Sequence, residues 1–304
     1  MFGSLSEFGL RALWSPVLLI VITLLAVLYI LSVDQFRLQW FKQSSPVQLS
    51  KKISMLLGLT IYYIAQGGPL ELLSHVTFSM HMVAMSLSYL IVPPMLLYGM
   101  PDWMLRRIFS IRGVSKVVRI LTQPILTLVL FNMLFSMYHF PMVLDYVMTN
   151  YIVHDIYYGA LLVSALMMWW NVVCPLPEYE RITDVQKMGY IFANGVLLTP
   201  ACALIVFSDS TLYATYSDPA IWAKAMGYCV PMGSDVILSM FDGPGDFAFL
   251  NPLEDQQFGG VLMKLVQEIA YGVVLFYIFL RWFRRDRQGS TIDPIVDKLQ
   301  PSNP

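Results

Sequence analysis

The stretch SMHMVAM at 79–85 holds one of the chain's four histidines and three of its nineteen methionines. Imidazole and thioether together make a donor set that suits copper, above all Cu(I), whereas harder ions call for carboxylate or carbonyl oxygen, which this stretch lacks. On a helix, His81 and Met85 stand four apart and share a face, while Met80 and Met82 point elsewhere. One helix therefore directs only two of these donors at one ion. His154 and Tyr158 repeat the same spacing further along the chain. His75 precedes His81 by six residues, about 120° away around a continuous helix, and reads as a rim ligand or an interface residue. With His139, these residues form the candidate metal set: His81, His154 and Met85, joined by His75 and His139. The competing reading is packing, because methionine fills irregular helix contacts without any metal.

Such donors need elements to hold them, and the composition says which. The chain has 304 residues, of which 57% are hydrophobic and only 13% charged, and its mean hydropathy is +0.62. That balance belongs to a membrane protein. Apolar runs near the roughly 20 residues needed to cross a bilayer recur along the chain. They predict seven spans, near 15–33, 53–69, 74–98, 121–139, 151–173, 188–208 and 258–281. The expected fold is an all-α, seven-helix transmembrane bundle over 1–287, with the lipid bilayer around it and a flexible tail over 288–304. The second span is short and ends at Gly67-Gly68-Pro69; the third meets Pro93-Pro94, where a kink is expected.

Lys and Arg distribution sets the orientation, since basic loops resist translocation. Sixteen of these residues fall in 34–52, 99–120, 174–187 and the C-terminal side, against two, Arg11 and Lys224, on the other face. This predicts the N-terminus outside and the C-terminus in the cytoplasm. All four histidines then lie toward the outer face. The long outer segment 209–257, rich in aromatic residues, is expected to fold as a cap over the bundle.

Other residues could support such a site. Asp255, Gln256 and Gln257 open the last span and could orient a metal-bound histidine or simply cap a helix. Gly259-Gly260 allows helices to approach closely there. Lys264 and Glu268 stand four apart inside an apolar span and read as an ion pair facing the bundle. Trp169-Trp170 reads as an interfacial anchor. The three cysteines have no CxxC spacing, which gives no support to a thiolate metal site. A net charge of −1 argues against nucleic acid as a partner. There is no nucleophile triad, Walker loop, GxGxxG or HExxH, so nothing demands an enzyme.

Three segments carry a family resemblance: MHMVAMSLSYLIVPPMLLYGMP at 80–101, VHDIYYGALLVSALMMWW at 153–170 and LEDQQFGGVLMK at 253–264. In order and spacing the chain resembles the CtaG-type cytochrome c oxidase assembly factors, seven-helix proteins of the bacterial cell membrane, and among them a bacilli-like member. The resemblance implies a role in respiratory chain biogenesis: a metallochaperone that binds copper at the outer face and helps deliver it to subunit I of a caa-type haem-copper oxidase. Many members have a further histidine four residues after the positions matching His81 and His154. Here Met85 and Tyr158 stand there, the first keeping a copper-compatible donor and the second losing one. A copper donor protein and a second copy of the chain stay open as partners. Two other classes of function remain as alternatives: a transporter or channel with Lys264 and Glu268 on its path, and a haem-binding electron-transfer protein with His81 and His154 as axial ligands.

Overall fold

The computed structural model describes residues 9–42, 44–230, 233–247 and 249–290, and every regular element among them is helical. Six helical stretches are long and apolar enough to cross a membrane, and seven when one bent pair is counted as a single span. The chain is a multi-pass membrane protein. The first span, α1 (Pro16–Val33), has eighteen residues without a charge and begins on a proline, which suits the first helical turn, where no amide donor is needed.

The second span is α2 (Leu49–Gln66). Gly67-Gly68 interrupts it, and Pro69 starts a separate short helix, α3 (Pro69–Val76). Thr77 is extended (φ −130°, ψ 141°), and α4 (Phe78–Ser86) begins after it. The expected third span from residue 74 is therefore not continuous: His75 lies on α3 and His81 on α4. The 120° offset between them does not apply, because the break at Thr77 resets the direction of the chain.

A π-helical turn, Leu87–Ile91, joins α4 to α5 (Val92–Gly99). It lies just ahead of Pro93-Pro94. A proline has no N–H to donate and its ring crowds the carbonyl four residues back, so the preceding turn widens. The fourth crossing is the bent pair α6 (Val114–Leu121) and α7 (Pro124–Tyr138), which meet at 69°. A short helix, α8 (Pro141–Met148), leads into α9 (Tyr151–Val173), then α10 (Asp184–Val206). The last helix, α13 (Pro252–Ser290), runs three residues past the expected end of the bundle at 287; the rest of the expected tail, 291–304, lies outside the described residues.

Between α10 and α13 the segment expected to cap the bundle is folded, with helices α11 (Pro219–Met226) and α12 (Ser234–Met240). Trp222, Met226, Ile237 and Phe247 pack with Leu72 and Val76 of α3 in one apolar cluster. Asp145 pins the cap's start, accepting from the backbone N–H groups of Ala214 (3.1 Å) and Thr215 (2.9 Å) and from the Thr215 hydroxyl (2.7 Å).

Gly259 and Gly260 do bring helices close. A Cβ on Gly259 would stand 2.8 Å from Phe78 Cδ1 and 3.1 Å from Ser79 Cα on α4; one on Gly260 would stand 2.7 Å from Val206 Cγ2 on α10. The glycine pair seats α13 against both neighbours at once.

Two expectations change in the folded chain. Trp169 and Trp170 are buried, and the Trp169 indole donates to the Tyr89 carbonyl at 3.3 Å, so they are core rather than interfacial anchors. Lys264 and Glu268 do pair, at 2.7 Å, and Lys264 also donates to Thr199 at 3.0 Å. The pair does not face the bundle: its side chains are 33% and 60% exposed. Two charges that satisfy each other at i,i+4 can lie on the outside of a helix without an interior partner.

Candidate metal centre

All four histidines are buried at the cap end of the bundle. Each is delivered by a different local device. His75 closes the last turn of α3, which Pro69 starts and Thr77 stops. His81 sits in the first turns of α4, whose N-terminus is capped by Asp255: the Ser79 N–H donates to Asp255 Oδ2 at 3.2 Å. His139 is the residue that ends α7. His154 lies in the first turn of α9, where the Asn150 side chain accepts from the Val153 N–H at 3.3 Å. The His75 and His154 rings stand with centroids 5.9 Å apart.

The ring nitrogens carry the chemical information. His139 Nδ1 lies 2.7 Å from the Phe135 carbonyl and His75 Nδ1 3.1 Å from the Glu71 carbonyl. A carbonyl only accepts, so each Nδ1 carries the proton and each Nε2 of the neutral ring presents a lone pair. Both of those Nε2 atoms are buried and unpartnered, as are both ring nitrogens of His81 and of His154. His154 Nδ1 stands 3.7 Å from Asp155 Oδ1, too long for a hydrogen bond. For His139, outside the spanning segments, burial pushes the imidazole down to about 4, opposed by its bond to Phe135. It is neutral at physiological pH. Buried polar atoms are nearly always satisfied in folded proteins. Each neutral ring keeps one N–H, so the four rings together present four buried lone pairs, and a ring held by Nδ1 donation to a carbonyl is the usual support for a metal-binding histidine.

Aromatic rings frame the cluster. His81 stacks with Tyr138 (centroids 5.6 Å, 22°), and His154 with Tyr158 (3.9 Å, 28°). Tyr138 and Tyr158 share a hydroxyl hydrogen bond of 2.9 Å. Tyr158, four residues after His154, thus backs the His154 ring while its hydroxyl is engaged elsewhere. Met85 is fully buried in the main core with Met82, on the helix that carries His81. The cap is tied to the histidine backbone itself: Trp222 Nε1–H donates to the His75 carbonyl (3.1 Å), Tyr213 to the His139 carbonyl (2.8 Å) and Tyr216 to the Ser74 carbonyl (2.8 Å).

The acids and amides at 255–257 have a different part from supporting a ring. Besides Asp255 on Ser79, Gln256 accepts from the Leu212 N–H at 2.7 Å, and Gln257 donates to the Ser208 carbonyl at 3.0 Å. All three bind backbone of α4 or of the strand of chain leaving α10. They hold together the helix that bears His81 and the base of the cap.

Three residues beside the histidines escape a reading of the sequence. Glu71 is buried and its Oε1 lies 3.7 Å from His75 Nδ1. Its spacing of four from His75, just after the helix-starting Pro69, was a visible signal. Tyr228 and Cys229 come from the cap: Tyr228 stacks on His75, and Cys229 Sγ lies 3.4 Å from His75 Nδ1. Burial pushes the Cys229 thiol well above its ordinary range, so it stays protonated. No local pattern could have joined 228–229 to position 75.

The cytochrome c oxidase caa3 assembly factor family model matches residues 27–285. The chain belongs to this family. The match takes in the end of the first spanning helix, all of the spans between, and the last up to residue 285. No curated protein and no solved structure matches the chain. A caa3 assembly factor accounts for the membrane bundle and gives the chain an oxidase as its partner.

Proposed function

We propose that this caa3 oxidase assembly factor is a non-catalytic copper chaperone of the bacterial cell membrane. It holds copper, as Cu(I), at the histidine cluster beneath the cap and hands it to oxidase subunit I. His81 and His154 are the principal ligands; Met85, His75 and His139 are available to complete the set. The single observation that carries this reading is the group of six buried ring nitrogens without partners. Neutral imidazoles, with Met85 on the helix that carries His81, match the soft-ligand preference of Cu(I). By the basic-loop rule, the cluster faces outward, the side on which oxidase copper centres are metallated.

Transfer by ligand exchange fits a site of this kind. Its ligands come from separate elements, α3, α4, the end of α7 and the start of α9, beneath a cap held by an apolar cluster with α3 and by hydrogen bonds to the histidine backbone. Such a site can open on one side while the bundle below stays packed.

The test is metal analysis of purified wild-type protein and of the His81→Ala/His154→Ala variant under reducing conditions, beside oxidase activity in cells that carry each version. The double variant is expected to lose bound copper and to leave the oxidase inactive. If it keeps full copper and supports normal oxidase, the assignment fails. A Soret band in the purified wild type would instead favour haem between these histidines.

A further inference from the structure

One corner of the histidine cluster contains oxygen as well as nitrogen. Glu71, His75 and His154 each offer a ligand atom such that the three atoms lie within 4.8 Å of one another, and all three residues are buried. Glu71 and His75 share the inner face of α3 at i,i+4, and the His75 and His154 rings face each other across the α3–α9 contact with centroids 5.9 Å apart. His75 Nε2 and both nitrogens of His154 have no hydrogen-bond partner.

The carboxylate is the unusual member. Among the described residues no lysine or arginine comes within ion-pair distance of Glu71; its one such neighbour is His75. A buried carboxylate without a cation is costly. Desolvated open lone pairs on two imidazoles add to that cost. A bound cation would meet both requirements. One carboxylate oxygen with two imidazoles is a borderline-to-hard donor set, suited to a divalent transition-metal ion rather than to Cu(I), which prefers thioether and thiolate.

The cap closes this corner. The Tyr228 ring lies parallel to His75 (5.6 Å, 5°) and 4.2 Å from the His154 centroid, and its hydroxyl donates to Asp155 at 2.6 Å.

We propose that Glu71, His75 and His154 form a binding site for a divalent metal ion, with Cu(II) as its cargo, beside the softer surroundings of His81 and Met85. The proposal deepens the copper-chaperone reading and rests on it for the identity of the ion. The two donor sets meet at His154, so the chain holds one copper ion at a time, with Glu71 and His75 on the harder side or with His81 on the softer.

The experiment uses the full chain purified in detergent. Wild type, Glu71→Gln, Glu71→Asp and His81→Leu are titrated with Cu(II) sulfate in the absence of reductant against a chromophoric chelator, and with Cu(I) under reducing conditions. Electron paramagnetic resonance reads the Cu(II)-loaded wild type. The expected result is one Cu(II) per wild-type chain with coupling to two nitrogens. Glu71→Gln weakens Cu(II) binding about tenfold or more, Glu71→Asp weakens it less, and both leave Cu(I) binding unchanged. His81→Leu has the opposite selectivity. Wild type that binds no Cu(II), a spectrum with fewer than two coupled nitrogens, or unchanged Cu(II) affinity in a folded Glu71 variant each overturns the proposal. Any of these with Cu(I) binding and its dependence on His81 intact leaves the chaperone reading standing, whereas loss of copper binding in both states with normal oxidase in cells removes both.

Discussion

Between α7, α9 and α10 lies a second group of buried polar residues, and it differs from the histidine cluster in how its hydrogen-bonding capacity is used. Asn132 donates to Asn194 Oδ1 (2.8 Å), Asn194 donates to the Tyr190 carbonyl (3.0 Å), Thr127 and Tyr190 share a bond of 2.8 Å, and Asn171 donates to Thr127 (2.9 Å). Of its atoms, Asn132 Oδ1 alone is buried without a partner. The histidine region instead leaves six ring nitrogens open. Both groups bear the desolvation cost of polar atoms away from water. The amide group recovers it through helix-to-helix hydrogen bonds, the usual role of Asn and Thr inside a membrane bundle. The histidine group recovers it only at the Nδ1 atoms of His75 and His139, and the nitrogens left open are what the proposed metal site rests on.

The sharpest way to break that contrast is to exchange function for stability at each group. His81→Leu is expected to weaken Cu(I) binding about tenfold or more while thermal unfolding in micelles stays unchanged or rises, because two unpartnered nitrogens disappear. A marked loss of stability in this variant would mean that His81 is structural. At the seam that holds α13 to α4, Gly259→Val should cost about 1–3 kcal/mol through overpacking against Phe78 and Ser79. Chemical denaturation in micelles reads that loss.

Smaller effects refine the comparison. Asn194→Leu should lower stability by roughly 1 kcal/mol, the scale of hydrogen bonds between membrane helices, with copper content unaltered; a loss of copper there would couple the two groups. Asp255→Ala removes the cap on the helix of His81, at about 1 kcal/mol, and is expected to loosen copper retention without abolishing it. Lys264→Met leaves Glu268 without its partner inside an apolar span and removes the bond to Thr199, so it should lower stability in micelles while oxidase assembly stays normal. A strong assembly defect from that variant would revive a transport path along α13.

Much of the bundle was legible in the sequence, because crossing a membrane is a demand on local composition. The charge-free run of α1, the proline pair ahead of which the π-turn forms, and the close approach at Gly259-Gly260 follow from residue type and spacing alone. His81 and His154 were legible as candidates for the same reason: a histidine in an apolar helix stands out against its neighbours. The surroundings of these residues were not legible. Gly67-Gly68-Pro69 announced the end of a helix and a new start, and Glu71 and His75 stand four apart after it, but nothing local said that α3 would bury the two against α9 and the cap. Lys264 and Glu268 announced a pair, but which face of α13 they occupy depends on where α10 packs.

Sequence by itself determined the membrane class and most of the spans, and it nominated histidine and methionine as donors, since hydropathy and ligand chemistry are properties of single residues and short windows. Tertiary structure alone decided that Glu71 joins His75 and His154 from two helices nearly eighty residues apart, that Tyr228 closes over them, and that Asp255, Gln256 and Gln257 brace backbone rather than imidazole. Contacts of that kind depend on how whole helices and a folded cap come together, and no short window of sequence contains both partners.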